Sequence, residues 1–212
     1  MVKTVENGIF YHVAHNKNYV RREHLSEGSV FTVGHETNPF FGYYDKARTY
    51  RVQKDGETIA VPALKFLRDA KRGRITGGDL PKQAYNIANH YSMLARELIM
   101  EEVRRDIAPE APSRKTCLWV VDDLGLAAYW QRKIGGKSRL VKLSLTGTTH
   151  RGDAKFLMNE SEPLEATYEK ARSYWLGIQT DNALPEILFA GTATVIEDNL
   201  LAPERNPGGT GA

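Results

Sequence analysis

Apolar residues recur with a helical period in the middle of the chain, in a segment that begins at Pro81. Their spacings of three and four positions place them on one face of a helix. Glu101 and Arg105 lie one turn apart and form a favourable pair, and prolines at positions 109 and 112 end the segment. This pattern predicts a long helix. The residues of its shared apolar face are Ala84, Ile87, Tyr91, Leu94 and Leu98.

Shorter patterns on both sides of this helix predict strands and two further helices. Runs rich in aromatic and β-branched residues are typical of strands. Asp122 or Asp123 can cap a helix that Gly135 ends, and Gly177 ends another. The predicted strands cover residues 8–14, 116–121 and 139–145, with a last strand beginning at Glu186, and the predicted helices run through 127–130 and 164–176.

Strands alternate with helices of uneven length, and several strands crowd into the last hundred residues. This arrangement favours an α+β fold in one domain, residues 1–202, with an inserted helical region at about 60–110. Residues 203–212 contain almost nothing to bury, so we predict a disordered tail.

Composition is that of an ordinary soluble protein, with 41% apolar and 26% charged residues. The net charge of +3 is too small to indicate a strong polyanion binder, and only residues 68–74 are locally basic. We find no secretory signal and no apolar run near the ~20 residues that span a bilayer. The expectation is a cytoplasmic protein with no membrane contact.

Several kinds of site are disfavoured by spacing. The single cysteine, Cys117, excludes an internal disulfide, and six histidines without paired ligand spacing argue against a metal. The glycines match neither phosphate-binding loop motif, and the Gly-x-Ser-x-Gly elbow of hydrolases does not occur. What remains is a small set of polar residues. Its members are Tyr11, His12, Ser113, Arg114, Asp153 and Glu186.

The segments that carry these residues resemble known transferases. Phe10-Tyr11-His12 on the first strand resembles the ADP-ribosyltransferases of the histidine-tyrosine-acid type. Residues 120–130, followed by 140–143, Gly147 and Asp153, are similar to the small rifampin-modifying ADP-ribosyltransferases. Residues 112–114, 171–177 and 186–191 look like an uncharacterised bacterial and phage family that is grouped with these transferases, and the grouping implies a toxin or defence role. The resemblance covers residues 8–14 and 112–197, and it implies split antiparallel β-sheets with flanking helices.

The resemblance also implies a chemistry and assigns roles to the residues. Cleaving the nicotinamide–ribose bond of NAD passes through an oxocarbenium-like cation, which a carboxylate stabilises. Glu186 is the first choice for that carboxylate and Asp153 is its rival. His12 would orient a ribose, while Arg114, with Ser113 beside it, would bind the diphosphate.

An aromatic ring that stacks on nicotinamide is the least defined part of this site. Where the rifampin-type enzymes have a tyrosine before the short helix, this chain has Trp119-Val120. Tyr11, Trp119 and Tyr129 are the candidates for the ring, with Phe40 and Tyr43 as further possibilities.

The resulting expectation is a mono-ADP-ribosyltransferase with NAD as substrate and no metal. Its acceptor is a protein, a nucleic acid or a small molecule. Two alternatives stay open: an NAD glycohydrolase at the same site, and a non-catalytic module that binds a nucleotide or a protein on the same fold.

Overall fold

The computed structural model describes residues 2–15, 25–54, 56–75, 79–158 and 162–200, so the predicted tail at 203–212 lies outside them. Antiparallel strands and flanking helices make up an α+β structure. In chain order the elements are β1 (Val2–His15), β2 (Val30–Val33), α1 (Pro39–Tyr44), β3 (Thr49–Lys54), β4 (Glu57–Pro62), α2 (Ala63–Lys71), α3 (Leu80–Ile107), β5 (Leu118–Val120), α4 (Leu124–Ile134), β6 (Ser138–Asp153), a 3-10 helix (Ala154–Leu157), α5 (Leu164–Trp175) and β7 (Pro185–Leu200).

The main sheet closes on itself through the short strand β5. Its order is β1-β6-β7-β2, and β5 pairs with β7 on the same edge as β2. Directly after β5, Val121 exchanges two backbone hydrogen bonds with Tyr11 of β1. The strands therefore surround an apolar cluster that includes Leu143, Phe189 and Val195. This closure places β5 between β1 and β7, so Tyr11, His12, Trp119 and Glu186 of the predicted site lie on three adjacent strands.

Helices α3 and α5 cover the outer face of β6 and β7. Met100, Tyr174, Trp175 and Leu188 form the centre of this second apolar layer, and the Trp175 Nε1–H donates to the Met100 carbonyl at 2.7 Å. Helix α4 packs on the outer face of β1 and β6. The closed sheet is thus covered on its outside by three helices.

A small lobe formed by β3, β4 and α2 packs against the start of α3. Its core includes Val61, Phe66 and Ile87, and the Tyr50 and Phe66 rings stack with centroids 4.6 Å apart. The sequence showed no clear boundaries here, because two strands of six residues and a nine-residue helix provide too few periods to recognise.

The long helix is confirmed as α3, and so is the ion pair of Glu101 with Arg105, at 3.2 Å. Its predicted apolar face is wrong in part. Tyr91 and Leu98 are 43% and 47% exposed. The buried face of α3 instead carries polar residues, Glu97 among them. The physical reason is a network of charges beneath the helix.

Candidate functional site

Four charged side chains and a tyrosine form a buried network between α3, α5 and the start of β7. Glu97 accepts from Arg114 Nε at 2.9 Å and from Arg96 Nη2 at 2.6 Å. Arg114 Nη1 donates to Glu186 Oε1, which also accepts from the Tyr174 hydroxyl at 2.6 Å. Two guanidinium groups thus face two carboxylates, and their formal charges cancel.

Burial makes each charge in this network depend on its partners. The Arg114, Glu97 and Glu186 side chains are 3%, 1% and 10% exposed. Burial opposes the charge of Arg114, but the carboxylates of Glu186 and Glu97 raise its pKa well above the usual value. Burial would likewise raise the pKa of Glu97, yet Arg114 and Arg96 lower it. Arg114 and Glu97 are therefore held in their ionised forms, each by oppositely charged neighbours that outweigh the effect of burial.

Ser113, in the loop between α3 and β5, belongs to a second cluster with Glu101 and Arg104 of α3. Its hydroxyl donates to Glu101 Oε2 at 2.7 Å, and Arg104 binds the same carboxylate at 2.9 Å. Arg104 Nη1 also donates to the carbonyl oxygens of Pro109 and Ala111. Ser113 and Arg114 thus attach the loop before β5 to α3.

His12 lies on the opposite face of the sheet from Glu186. Cross-strand partners share a face, and His12 is paired with Val141, which lies in the enclosed apolar cluster. Ile187 lies in the same cluster, so Glu186, one residue earlier, points to the outer face. The His12 Nδ1 is 2.9 Å from the Trp119 carbonyl oxygen, and burial lowers the pKa of its imidazole. Strand β5 lies between the two segments, and the two side chains point to opposite faces of the sheet.

The candidate rings occupy three separate surroundings. Trp119 lies beneath the Arg114 guanidinium, 5.6 Å from it, and packs edge-on against Phe40 at 5.4 Å. Tyr11 packs among the apolar residues of α4. Tyr129 lies on the outside of α4, where it is 38% exposed. The structure therefore brings Trp119, but neither of the tyrosines, into contact with Arg114.

Asp153, the rival acid, organises a loop. It is fully buried, and its oxygens accept from the backbone N–H groups of Lys155, Thr180 and Leu184 and from the Thr180 hydroxyl, at 2.7–3.0 Å. Burial would raise its pKa, but these hydrogen bonds lower it. The carboxylate caps the 3-10 helix and fixes the turn that leads into β7.

We expect Asp153→Asn to lower the free energy of unfolding at pH 7 by about 1–3 kcal/mol, because an amide cannot accept from all four donors. A carboxylate whose pKa is lowered by folding stabilises the native state above its unfolded pKa of about 4. That stabilisation is lost as the pH falls through the lower folded value. Urea unfolding between pH 3 and 7 should show the parent and variant converging in acid. Asp181→Asn, an exposed change in the same loop, is the control, and an equal loss in both variants would contradict the assignment.

Two cavities are lined by residues other than Glu186. One, of about 410 Å³, is lined by residues of β3 and α2, by Arg74 and Ile75, and by the start of α3. It combines a stacked aromatic pair with charged and amide side chains. The lining includes Tyr50, Arg51, Gln53, Phe66, Arg74, Asp79 and Gln83. A second, of about 460 Å³, lies between α3 and α5 and includes Tyr85, Arg96 and Glu162. The sequence pointed to neither, since their residues come from separate elements, although the basic run at 68–74 includes one lining residue.

Comparison with protein families places all of these residues within one match. A family model described as "Protein of unknown function (DUF2441)" matches residues 10–200. The chain belongs to the DUF2441 family. A search of curated proteins finds no match. In this DUF2441 chain the match extends from β1 to the end of β7, so it includes the buried network, the small lobe and both cavities.

Two further properties of the DUF2441 chain concern the described residues alone. Among them, no helix is long and apolar enough to cross a membrane. Within the same ranges, no three His, Cys, Asp or Glu side chains lie close enough together to hold a metal ion.

Proposed function

We propose that this DUF2441 chain is a non-catalytic nucleotide-binding module. The observation that carries the proposal is that Glu186 is bound within the protein. Its Oε1 accepts from both Arg114 and Tyr174, on the face of the sheet opposite His12. A carboxylate already neutralised by an adjacent guanidinium has little charge left to stabilise a ribosyl cation. Arg114, held by two carboxylates, is equally unavailable to a diphosphate. Both residues serve the fold.

The cavity beside β3 is the proposed nucleotide site. Its volume of about 410 Å³ falls within the ~300–1,000 Å³ typical of small-ligand sites. Arg51 and Arg74 supply charge-assisted donors for a phosphate. The Tyr50 ring can stack on a base, and Gln53 and Gln83 offer amide donors and acceptors to its edge. A phosphate, an aromatic ring and a hydrogen-bonding edge are the three parts of a nucleotide.

The test is calorimetry of the full chain with AMP, ADP-ribose and NAD. Arg51→Ala and Arg74→Ala should each weaken binding at least tenfold, about 1.4 kcal/mol, since each removes a charged donor to phosphate. Arg105→Ala removes an exposed arginine of α3 and should leave the affinity unchanged. Absence of binding to all three nucleotides, or equal losses in the control, would overturn the proposal.

An NAD-cleaving ADP-ribosyltransferase is the second candidate. The pairing of β5 with both β1 and β7 favours it, since this places His12, Trp119 and Glu186 on three adjacent strands. If this candidate is right, the parent releases nicotinamide from NAD. The rate of release should then fall about a hundredfold in Glu186→Gln, the effect of losing one electrostatic stabiliser. The binding-module proposal expects no release by either protein.

A further inference from the structure

The positive charge of the chain is concentrated in and next to the small lobe. Residues 46–75 contain nine Lys or Arg against three Asp or Glu, a formal charge of +6, whereas the entire chain carries +3. The rest of the molecule is therefore net negative. A chain of modest overall charge thus carries a strongly basic lobe, and such asymmetry attracts anionic partners to one side of a protein.

Helix α2 presents part of this charge to solvent. Arg68, Lys71 and Arg72 are all exposed. Spacings of three and four place them on one side of the helix end, where like charges repel. Lys65, by contrast, is paired with Asp69 at 2.6 Å. Among the described residues, none of the three exposed cations has a carboxylate within ion-pair distance, so their charge is directed outward.

This basic surface continues into the proposed nucleotide cavity. Arg74 follows Arg72 by two residues and lines the cavity together with Arg51 across from it. The cations Arg51, Arg68, Lys71, Arg72 and Arg74 form what we call the basic stripe. The macrodipole at the end of α2 also favours cations at Lys71 and Arg72. Arg74 lies 3.6 Å from Asp69, but its side chain is 63% exposed, so this pair is screened by solvent and leaves the guanidinium accessible to a phosphate.

We propose that the basic stripe binds the phosphates of a single-stranded nucleic acid, one nucleotide of which enters the cavity beside β3. This inference rests on the proposed function, since it takes the bound nucleotide to be part of a longer strand. Single strands are bound by basic grooves that follow the backbone and by aromatic rings on which bases stack. An acidic peptide would use the charge of the stripe but not the stacked Tyr50–Phe66 pair or the amide-lined edge. The lining therefore favours a nucleic acid.

The experiment is fluorescence anisotropy of the full chain with labelled twelve-nucleotide DNA and RNA at several salt concentrations. The triple variant Arg68→Gln, Lys71→Gln, Arg72→Gln should bind at least tenfold more weakly. Its plot of log affinity against log salt should be less steep by about 2, as expected for three lost phosphate contacts on a single strand. Its affinity for AMP should stay that of the parent, because the cavity is intact.

The matched control is Arg132→Gln, Lys133→Gln, Lys137→Gln, which removes the same charge from exposed positions at the end of α4. Equal losses in both triple variants, or competition by polyglutamate as strong as that by unlabelled oligonucleotide, would overturn the inference. A parent that binds AMP but binds the oligonucleotide no more tightly would overturn this inference alone. A parent that binds neither would overturn the proposed function as well.

Discussion

Replacing Arg114 with methionine is expected to lower the free energy of unfolding by about 3–5 kcal/mol, the cost of breaking a buried ion pair by removing one partner. Methionine fills a similar length, so the loss arises mainly from charge. Among the described residues, Glu186 then keeps the Tyr174 hydroxyl as its partner and Glu97 keeps Arg96, in surroundings almost closed to water. Urea unfolding measures the effect. The slope of the unfolding free energy against urea concentration should be unchanged if the native state stays equally compact.

Arg105→Met is the matched control, because the Arg105 side chain is 70% exposed and its pair with Glu101 is screened by solvent. Its cost should stay below about 1 kcal/mol. The double variant Arg114→Met, Glu186→Gln should recover part of the Arg114 loss, since it removes one of the carboxylates left unpaired. If Arg114→Met unfolds like Arg105→Met, or if the double variant loses the sum of the single losses, the network does not stabilise the fold as described.

The elements that the sequence predicted well are those determined by neighbouring residues. Asp123 caps α4 by accepting from the Leu126 N–H at 2.7 Å, and Gly135 ends that helix with a positive φ of 66°. Gly177 similarly follows α5 with a φ of 73°. Caps and left-handed glycines act within a few residues, so they can be recognised without knowledge of the tertiary structure.

The buried face of α3 could not be predicted by the same reasoning. Predicting the buried face from an apolar stripe assumes that the helix packs on apolar side chains. Glu97 instead binds Arg114, 17 positions away in the chain, and Arg114 in turn binds Glu186, another 72 positions away. Such a partnership leaves no periodic signal. The extent of β6 and β7 was also hidden, because their later residues gain order from strand partners rather than from local propensity.

In the candidate site, residue type identified important side chains but not the partners they bind. The sequence predicted Arg114, Asp153 and Glu186 as functional residues. In the structure all three are buried and held by several hydrogen bonds within the protein. Strand position alone does not distinguish a carboxylate that faces a ligand from one that binds an internal arginine. The directions of His12 and Glu186 depend on which strands pair and in which register, and a shift of one residue reverses the face. The cavity beside β3 needed the tertiary structure altogether.

Glu97→Gln is expected to destabilise the protein by about 3–5 kcal/mol at pH 7, because Glu97 is the carboxylate that Arg96 and Arg114 share. The amide has nearly the same shape, yet it leaves two buried guanidinium groups facing a single carboxylate, Glu186. Glu102→Gln, the same change at an exposed position five residues further along α3, should cost less than about 0.5 kcal/mol. Because folding lowers the pKa of Glu97, its stabilisation is complete above the unfolded value near 4.3 and is lost as the pH falls through the folded value. We therefore expect urea unfolding at decreasing pH to show the difference in unfolding free energy between the parent and Glu97→Gln becoming smaller in acid. The difference between the parent and Glu102→Gln should stay small at every pH. A Glu97→Gln variant as stable as the parent at pH 7 would mean that the two arginines do not depend on this carboxylate, and the case for Glu186 and Arg114 as parts of the fold would fall with it.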